Sequence, residues 1–570
     1  MEINGFKLKY SAEELTKKVN NEVREICLID KNEKEYVDLT DGDKKALDYL
    51  VNAAKIMNDV ALELDHPLNL IQKQALETLA PGNEYVSNAL LLFNFINGVA
   101  GYNGLDKDPV EIFEGIHMYK GCNFYPTDLD ENEFHEIIIK MLDENKVDEV
   151  AKILSSRTVV RRKGDVLEAI DYTEYFSEEF SEIANEIECA AHFTTDNMFK
   201  EYLKWQAQAL LQNNVEMDIL ADKHWVKMQN TSLEFTISRE NYNDKMTPSV
   251  FSNKSLIERL RGVNINPVPK DMLGIRVGIV NKQGTNLLLK FKDKMRELVN
   301  KMPCSELYEQ KISDGELKQT MVDVDIVALS GDYAMCRGGI TLAQNLPNND
   351  KPSLYRGGGR RNVYHRQVRF AGDSEKTKKI LEGLVASEFH EFYDEEADHL
   401  FTIGHENGHS LGPDSSYQCS MGIFQHIIEE NKADMVSAAM MPEYVKAGII
   451  TEEQLKKIYT TWIVKRHLLL AYPEDQEAHR VADLIEYNYL LDYGAIYFDQ
   501  DKKLHINFDK TIDASKKLLE DIIKVQLSKS SICAKEYINR WSEWGDMAVY
   551  ISDFKKKLGV KPYIRIISCF

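Results

Sequence analysis

His405-Glu406-Asn407-Gly408-His409 sets two imidazoles four residues apart, with a carboxylate directly after the first. On an α-helix residues i and i+4 share a face. The pentapeptide therefore predicts a helix that aims His405 and His409 at one metal ion. Glu406 lies beside that face, where a general base for water is needed. Two His ligands and a neighbouring Glu form the arrangement of zinc hydrolases. A third ligand must come from another element, and Glu429 or Glu430, in Glu429-Glu430-Asn431-Lys432-Ala433-Asp434, is the nearest source. This demands a second helix packed on the first. Glu430 and Asp434 are four apart and share a face, so Glu430 as ligand and Asp434 as acceptor for a ligand imidazole N–H would use both. Three protein ligands leave the fourth position for water, as a catalytic zinc site requires. The alternative is a solvated helix face with two surface His and a run of acids.

The motif helix is predicted from about Ser387 to Ser410, with Gly412-Pro413 as its stop. Pro413 to Ser420 reads as a loop. The second helix is predicted from about Met421 to Met440, with Ile423, Ile427 and Met435 toward the core. Gly408 costs about 1 kcal/mol against Ala inside a helix, which hints that room at this position matters. His479, in Glu477-Ala478-His479 on a later helical stretch, is a candidate donor to the oxyanion of acyl transfer. His66, His224 and His505 read by default as surface or core residues.

A chain of 570 residues is too long for one hydrophobic core, so two or more lobes are expected. Lys44–Leu64, Asn88–Ile96, the pair Glu131–Met141 and Val147–Leu154, and Tyr175–Trp205 carry helical spacing. Leu273–Val280 and Thr320–Leu329 read as strands, with a helix over Asn286–Lys301 between them. Residues 330–365 read as irregular loop with short strands. From Ser387 nearly to Lys557 the chain is helical. The fold class is α+β, mainly helical: a sheet-containing lobe flanked by helices, then a helical lobe with the zinc motif, and a substrate cleft between them. The domain boundaries expected are 1–284, 285–318, 319–384 and 385–570.

Lys plus Arg number 70 against 92 Asp plus Glu, a formal charge of −22. This disfavours nucleic acid and anionic membrane as partners. The apolar run Ala89–Ala100 is too short to span a bilayer. Met1–Asp30 has no signal-peptide core, so a cytoplasmic location is expected. The eight Cys form no CxxC pair and are expected as free thiols. Arg356-Gly357-Gly358-Gly359-Arg360-Arg361 lacks Walker spacing and reads as a mobile basic loop. Arg161–Asp165 reads as a polar turn, and the aromatic residues of Trp541–Tyr550 read as core at helical spacing.

The two segments around the zinc motif, together with Asn345-Leu346-Pro347-Asn348-Asn349-Asp350, resemble the dipeptidyl peptidase III family of zinc peptidases, from about Asn88 to Gly494. The five-residue motif is the shorter form, as in some plant relatives; better-known members have one more residue before the second His. The resemblance implies Glu430 as zinc ligand and Asp434 behind it. It implies Asn345 and Asn348 as binders of the peptide's amino-terminal portion, and His479 as a residue that stabilises the transition state. An Arg often stands four residues beyond that His in the family; this chain has Asp483. The family also holds the substrate ammonium with a Glu and a Tyr, and no such pair is assigned between Asn241 and Asp271. The implied fold is a helical zinc lobe over a lobe with a β-barrel-like core, with a wide cleft that closes on peptides. The implied activity is zinc-dependent hydrolysis of short peptides with release of N-terminal dipeptides, one zinc per chain. A zinc hydrolase or endopeptidase of other specificity, and a non-catalytic metal- or peptide-binding protein, are the alternatives. Oligomeric state is left open.

Overall fold

Thr40 accepts from the Asp43 amide and so starts α1 (Asp41–Asp65). Ala46, Leu47, Leu50, Val51, Ala54, Met57 and Val60, spaced three and four apart, bury its inner face. The structure, a computed structural model, describes residues 1–103, 108–241, 243–310, 320–334, 343–346, 361–366, 374–413, 417, 421–468, 478–558 and 563–570. The long stretch predicted over Tyr175–Trp205 is two helices, α2 (Ser177–Phe193) and α3 (Asn197–Gln212). The break is chemical. Asp43 of α1 accepts from the Thr194 and Thr195 hydroxyls, and Asp196 caps α3 by accepting from the Phe199 amide.

A curled five-stranded sheet forms the centre of this lobe. Its strands are β1 (Leu233–Glu240), β2 (Met272–Val280), β3 (Thr320–Gly331), β4 (Ala343–Leu346) and β5 (Arg361–His365), in the order β4-β5-β3-β2-β1. Within this sheet β3 and β5 pair in parallel and the other described neighbours are antiparallel. Every residue of β2 is buried, and α1 packs against β2 and β3. The hairpin Thr158–Lys163 with Val166–Asp171 turns at Gly164, matching the polar turn expected there. Strand β1 was not anticipated, although Leu233, Phe235 and Ile237 alternate with Glu234, Thr236 and Ser238 at period two.

Arg361 corrects the expectation of a mobile basic loop. It is fully buried in β5, where it donates to Glu234 Oε2 at 2.7 Å and to the Met228 carbonyl. Glu234 also accepts from Trp225 Nε1 at 2.7 Å. Arg356 to Arg360 lie outside the described residues.

Helix α4 (Lys282–Leu298) joins the sheet to the second lobe. Its first turn meets Asp323 of β3, while Phe291 stacks on Tyr444 at 4.1 Å. The second lobe holds α5 (Glu395–His409), α6 (Gln425–Lys446), α7 (Glu452–Trp462), a π-helical turn (Ile463–His467), α8 (Ala478–Tyr493) and α9 (Phe508–Leu527). Leu400, Ile427, Met435, Trp462, Leu484 and Leu519 meet in its core. The motif helix begins later than expected. Ser387–Phe392 is a separate 3-10 segment, and Asp394 caps α5 by accepting from the Glu396 amide. Helix α6 runs past its expected end at Met440, through Pro442. Proline has no N–H for the Ala438 carbonyl four residues back, and the Tyr459 hydroxyl donates to that carbonyl instead at 2.8 Å. Trp541–Tyr550 is likewise broken, with one helix ending at Trp541 and the next starting at Asp546.

The chain's ends meet. Val23–Cys27 and Tyr563–Ile567 pair in parallel, and Cys27 is disulfide-bonded to Cys569. This corrects the free-thiol expectation for these two residues, which lie 542 apart in sequence and so give no local signal. Cys189, Cys304 and Cys533 form no disulfide among the described residues, and Cys122 donates its thiol to the Asn243 carbonyl; Cys336 and Cys419 lie outside the described residues. Among the described residues no helix is long and apolar enough to cross a membrane.

Candidate metal centre

Helices α5 and α6 approach each other with almost nothing between them. A Cβ on Gly404 would stand 2.3 Å from Ser437 Oγ, and one on Gly408 2.7 Å from the Ala433 carbonyl oxygen. Two glycines four residues apart on one face thus let the helix backbones meet, which accounts for the room expected at Gly408. The close approach lets Glu430 reach the histidines of the neighbouring helix.

His405 Nδ1 is 2.7 Å from Asp434 Oδ1, and His409 Nδ1 is 3.1 Å from Glu429 Oε1. Each carboxylate takes the N–H of one imidazole, so both rings turn their Nε2 lone pairs inward. The two Nε2 atoms are 3.1 Å apart, and Glu430 Oε2 lies 3.4 Å from the first and 3.6 Å from the second. Three acceptors therefore converge, and Glu430 Oε2 is buried without a hydrogen-bond donor. Ligand atoms about 2.0–2.2 Å from a tetrahedral zinc stand roughly 3.3–3.6 Å from one another. The observed triangle matches that spacing, and one N,N,O set fits zinc.

The electrostatics point the same way. Burial works against charge on His405, but the Asp434 and Glu430 carboxylates outweigh it and hold its pKa well above the usual imidazole value. Burial likewise opposes ionisation of Glu430, yet the adjacent His405 and His409 push its pKa down to about 2. The pocket attracts positive charge, and a metal ion held at His405 Nε2 would take the place of a proton there.

Of the residues singled out in the sequence, the structure brings His405, His409, Glu430 and Asp434 together, with Glu406 half-buried beside His405 on the same helix. Glu430 faces both Nε2 atoms, while Glu429 lies behind His409 and accepts from Lys432 Nζ at 2.9 Å. His479, half-exposed at the start of α8, places Nδ1 3.3 Å from Glu430 Oε2. Asn345 lies in β4, its backbone opposite Asn362, and its side chain is outside the described atoms; Asn348 is outside the described residues. The placement of Glu429 and Lys432 was missed. For Glu429 the signal was present, because it precedes a candidate ligand by one residue and so points at a different His.

No family model matches the chain. The structure of DPP III from Caldithrix abyssi superposes with a TM-score of 0.76, covering 97% of this chain and 98% of that one at 23% sequence identity. The chain has the dipeptidyl peptidase III fold. The structure of dipeptidyl-peptidase III from Corallococcus sp. strain EGB agrees, with a TM-score of 0.69 and 19% identity over 98% of this chain and 97% of that one. The two-lobe, mainly helical α+β architecture read from the sequence is therefore the observed one. A curated relative from Arabidopsis thaliana, named Nudix hydrolase 3, is 24% identical over 565 residues, spanning 89% of this chain and 68% of that protein.

Proposed function

We propose that this chain is a zinc-dependent peptidase that removes dipeptides from the amino termini of short peptides. The observation that carries the reading is the convergence of His405 Nε2, His409 Nε2 and Glu430 Oε2 on one point, with both imidazole N–H groups held from behind. Bound there, zinc supplies a Lewis acid that polarises a carbonyl and makes water acidic near neutral pH. Glu406 takes the proton from the attacking water and hands it to the leaving amine. His479, next to Glu430 and open to solvent, donates to the developing oxyanion. Asn345 and Asn348 hold the peptide's amino-terminal portion, a role implied by the family resemblance. The dipeptidyl peptidase III fold favours a peptide over another amide. The name of the Arabidopsis relative carries less weight, since about a third of that protein lies outside the alignment.

The test is Glu406→Gln. Zinc content should stay at the parent value while turnover of a short peptide falls by about 10²–10⁴-fold. Mass analysis of the parent's products should find N-terminal residue pairs. Unchanged turnover in the variant removes Glu406 as the base; single residues or internal fragments as first products remove the dipeptidyl specificity.

A further inference from the structure

Three consecutive basic residues leave the π-helical turn Ile463–His467 toward three different helices. Lys465 Nζ lies 2.6 Å from Glu395 and 3.0 Å from Asp398, both on the early turns of α5. Arg466 NH1 lies 4.0 Å from Asp434 Oδ2 on α6 and 3.9 Å from Asp483 Oδ1 on α8, and its guanidinium stands 6.0 Å from the Phe401 ring of α5. His467 Nε2 lies 3.3 Å from Glu486 Oε2 on α8, with both side chains fully buried. Glu486 in turn accepts from Asn431, the neighbour of Glu430, at 2.9 Å. Successive residues on a helix point about 100° apart, so one turn reaches all three helices. π-helical turns inside α-helices recur at functional sites. Here α5 carries His405, Glu406 and His409, α6 carries Glu430, and α8 carries His479.

The Asp434 carboxylate is the sharpest link. Oδ1 accepts from His405 Nδ1 at 2.7 Å, while Oδ2 faces Arg466. Carboxylate oxygens of Asp434, Asp483 and Glu486 lie within 4.8 Å of one another. Arg466 lies between Asp434 and Asp483 and offsets the repulsion of these two carboxylates.

We propose that Lys465, Arg466 and His467 brace the metal centre, with Arg466 acting through Asp434 to orient His405. The proposal rests on the zinc reading above. These are positioning residues, and none of them is assigned a contact with substrate.

The experiment compares the full-length parent with Arg466→Met, by zinc affinity in a chelator competition and by steady-state peptide hydrolysis. Zinc affinity should fall about 10–100-fold, the usual effect of losing a group behind a metal ligand. kcat should fall while KM stays within about twofold. In an Asp434→Asn background the same change should shift zinc affinity by less than about threefold, since the route through Asp434 is already cut. Lys301→Met, which breaks the ion pair to Glu443 at the far end of α6, controls for general loosening and should leave zinc affinity unchanged. Arg466→Gln is read in the same way should Arg466→Met not fold. Unaltered zinc affinity, additive losses in the Asp434→Asn background, or an equal loss in Lys301→Met would each overturn the brace. A parent chain that takes up no zinc would instead overturn the zinc reading, and the brace with it.

Discussion

A methyl group at Gly408 would stand 2.7 Å from the Ala433 carbonyl oxygen and 3.0 Å from Ala433 Cα. Both are backbone atoms, so α5 and α6 would have to part. By helix propensity alone Gly408→Ala should stabilise by about 1 kcal/mol; overpacking should reverse the sign, costing about 1–3 kcal/mol, and zinc affinity should drop as Glu430 withdraws. A higher melting temperature with unchanged zinc binding would show that the helices are not in such close contact. His66 makes a second prediction at this scale. It is 2% exposed, stacks on Tyr119, and uses Nδ1 to accept from the Leu68 amide at 3.1 Å. Burial lowers its pKa to about 4, from an ordinary 6.5. The unfolded chain therefore binds the proton more readily, and stability from this group is complete above about pH 6.5 and lost as pH falls toward 4. The loss at pH 5 should be at most about 2 kcal/mol. His66→Phe should flatten the decline in melting temperature between pH 7 and pH 5; an identical decline would contradict the assignment.

Elements were legible where a single periodicity ran uninterrupted and obscure where a tertiary contact decided. The helix Asp41–Asp65 and the strand Met272–Val280 fall within a few residues of their expected bounds. The break at Thr194 depends on Asp43 from another helix, and the passage of α6 through Pro442 depends on Tyr459; neither partner is near in sequence. Arg361 was misread for the same reason. Glycine-rich neighbours mark a loop, but its partner Glu234 lies more than a hundred residues upstream. The Glu234–Arg361 pair is fully buried, and removing Arg361 leaves Glu234 with the more distant Arg276, at 3.8 Å, as its cationic neighbour. Arg361→Met should destabilise by about 3–5 kcal/mol, whereas Glu234→Gln combined with Arg361→Met should recover part of that loss. An exposed-pair value below about 1 kcal/mol for the single change would mean that the sheet interior admits water.

At the scale of the molecule, the described residues form three apolar cores; the two largest are joined by α4, and the strands Val23–Cys27 and Tyr563–Ile567 pair and are tied through Cys27 and Cys569. The candidate site needed none of that to be visible. His405, His409 and Glu430 were legible because helical spacing and ligand chemistry constrain residue types over short distances. That Glu429 backs His409, and that Arg466 faces the far oxygen of Asp434, required the helix packing. Three side-chain atoms face one point, and the most direct test that they hold a cation is the metal content of the parent chain beside Glu430→Ala, each purified with zinc supplied. About one zinc per parent chain, removable by a chelator and largely absent from the variant, is the required result. A parent without zinc, or a variant that holds as much as the parent, would contradict it.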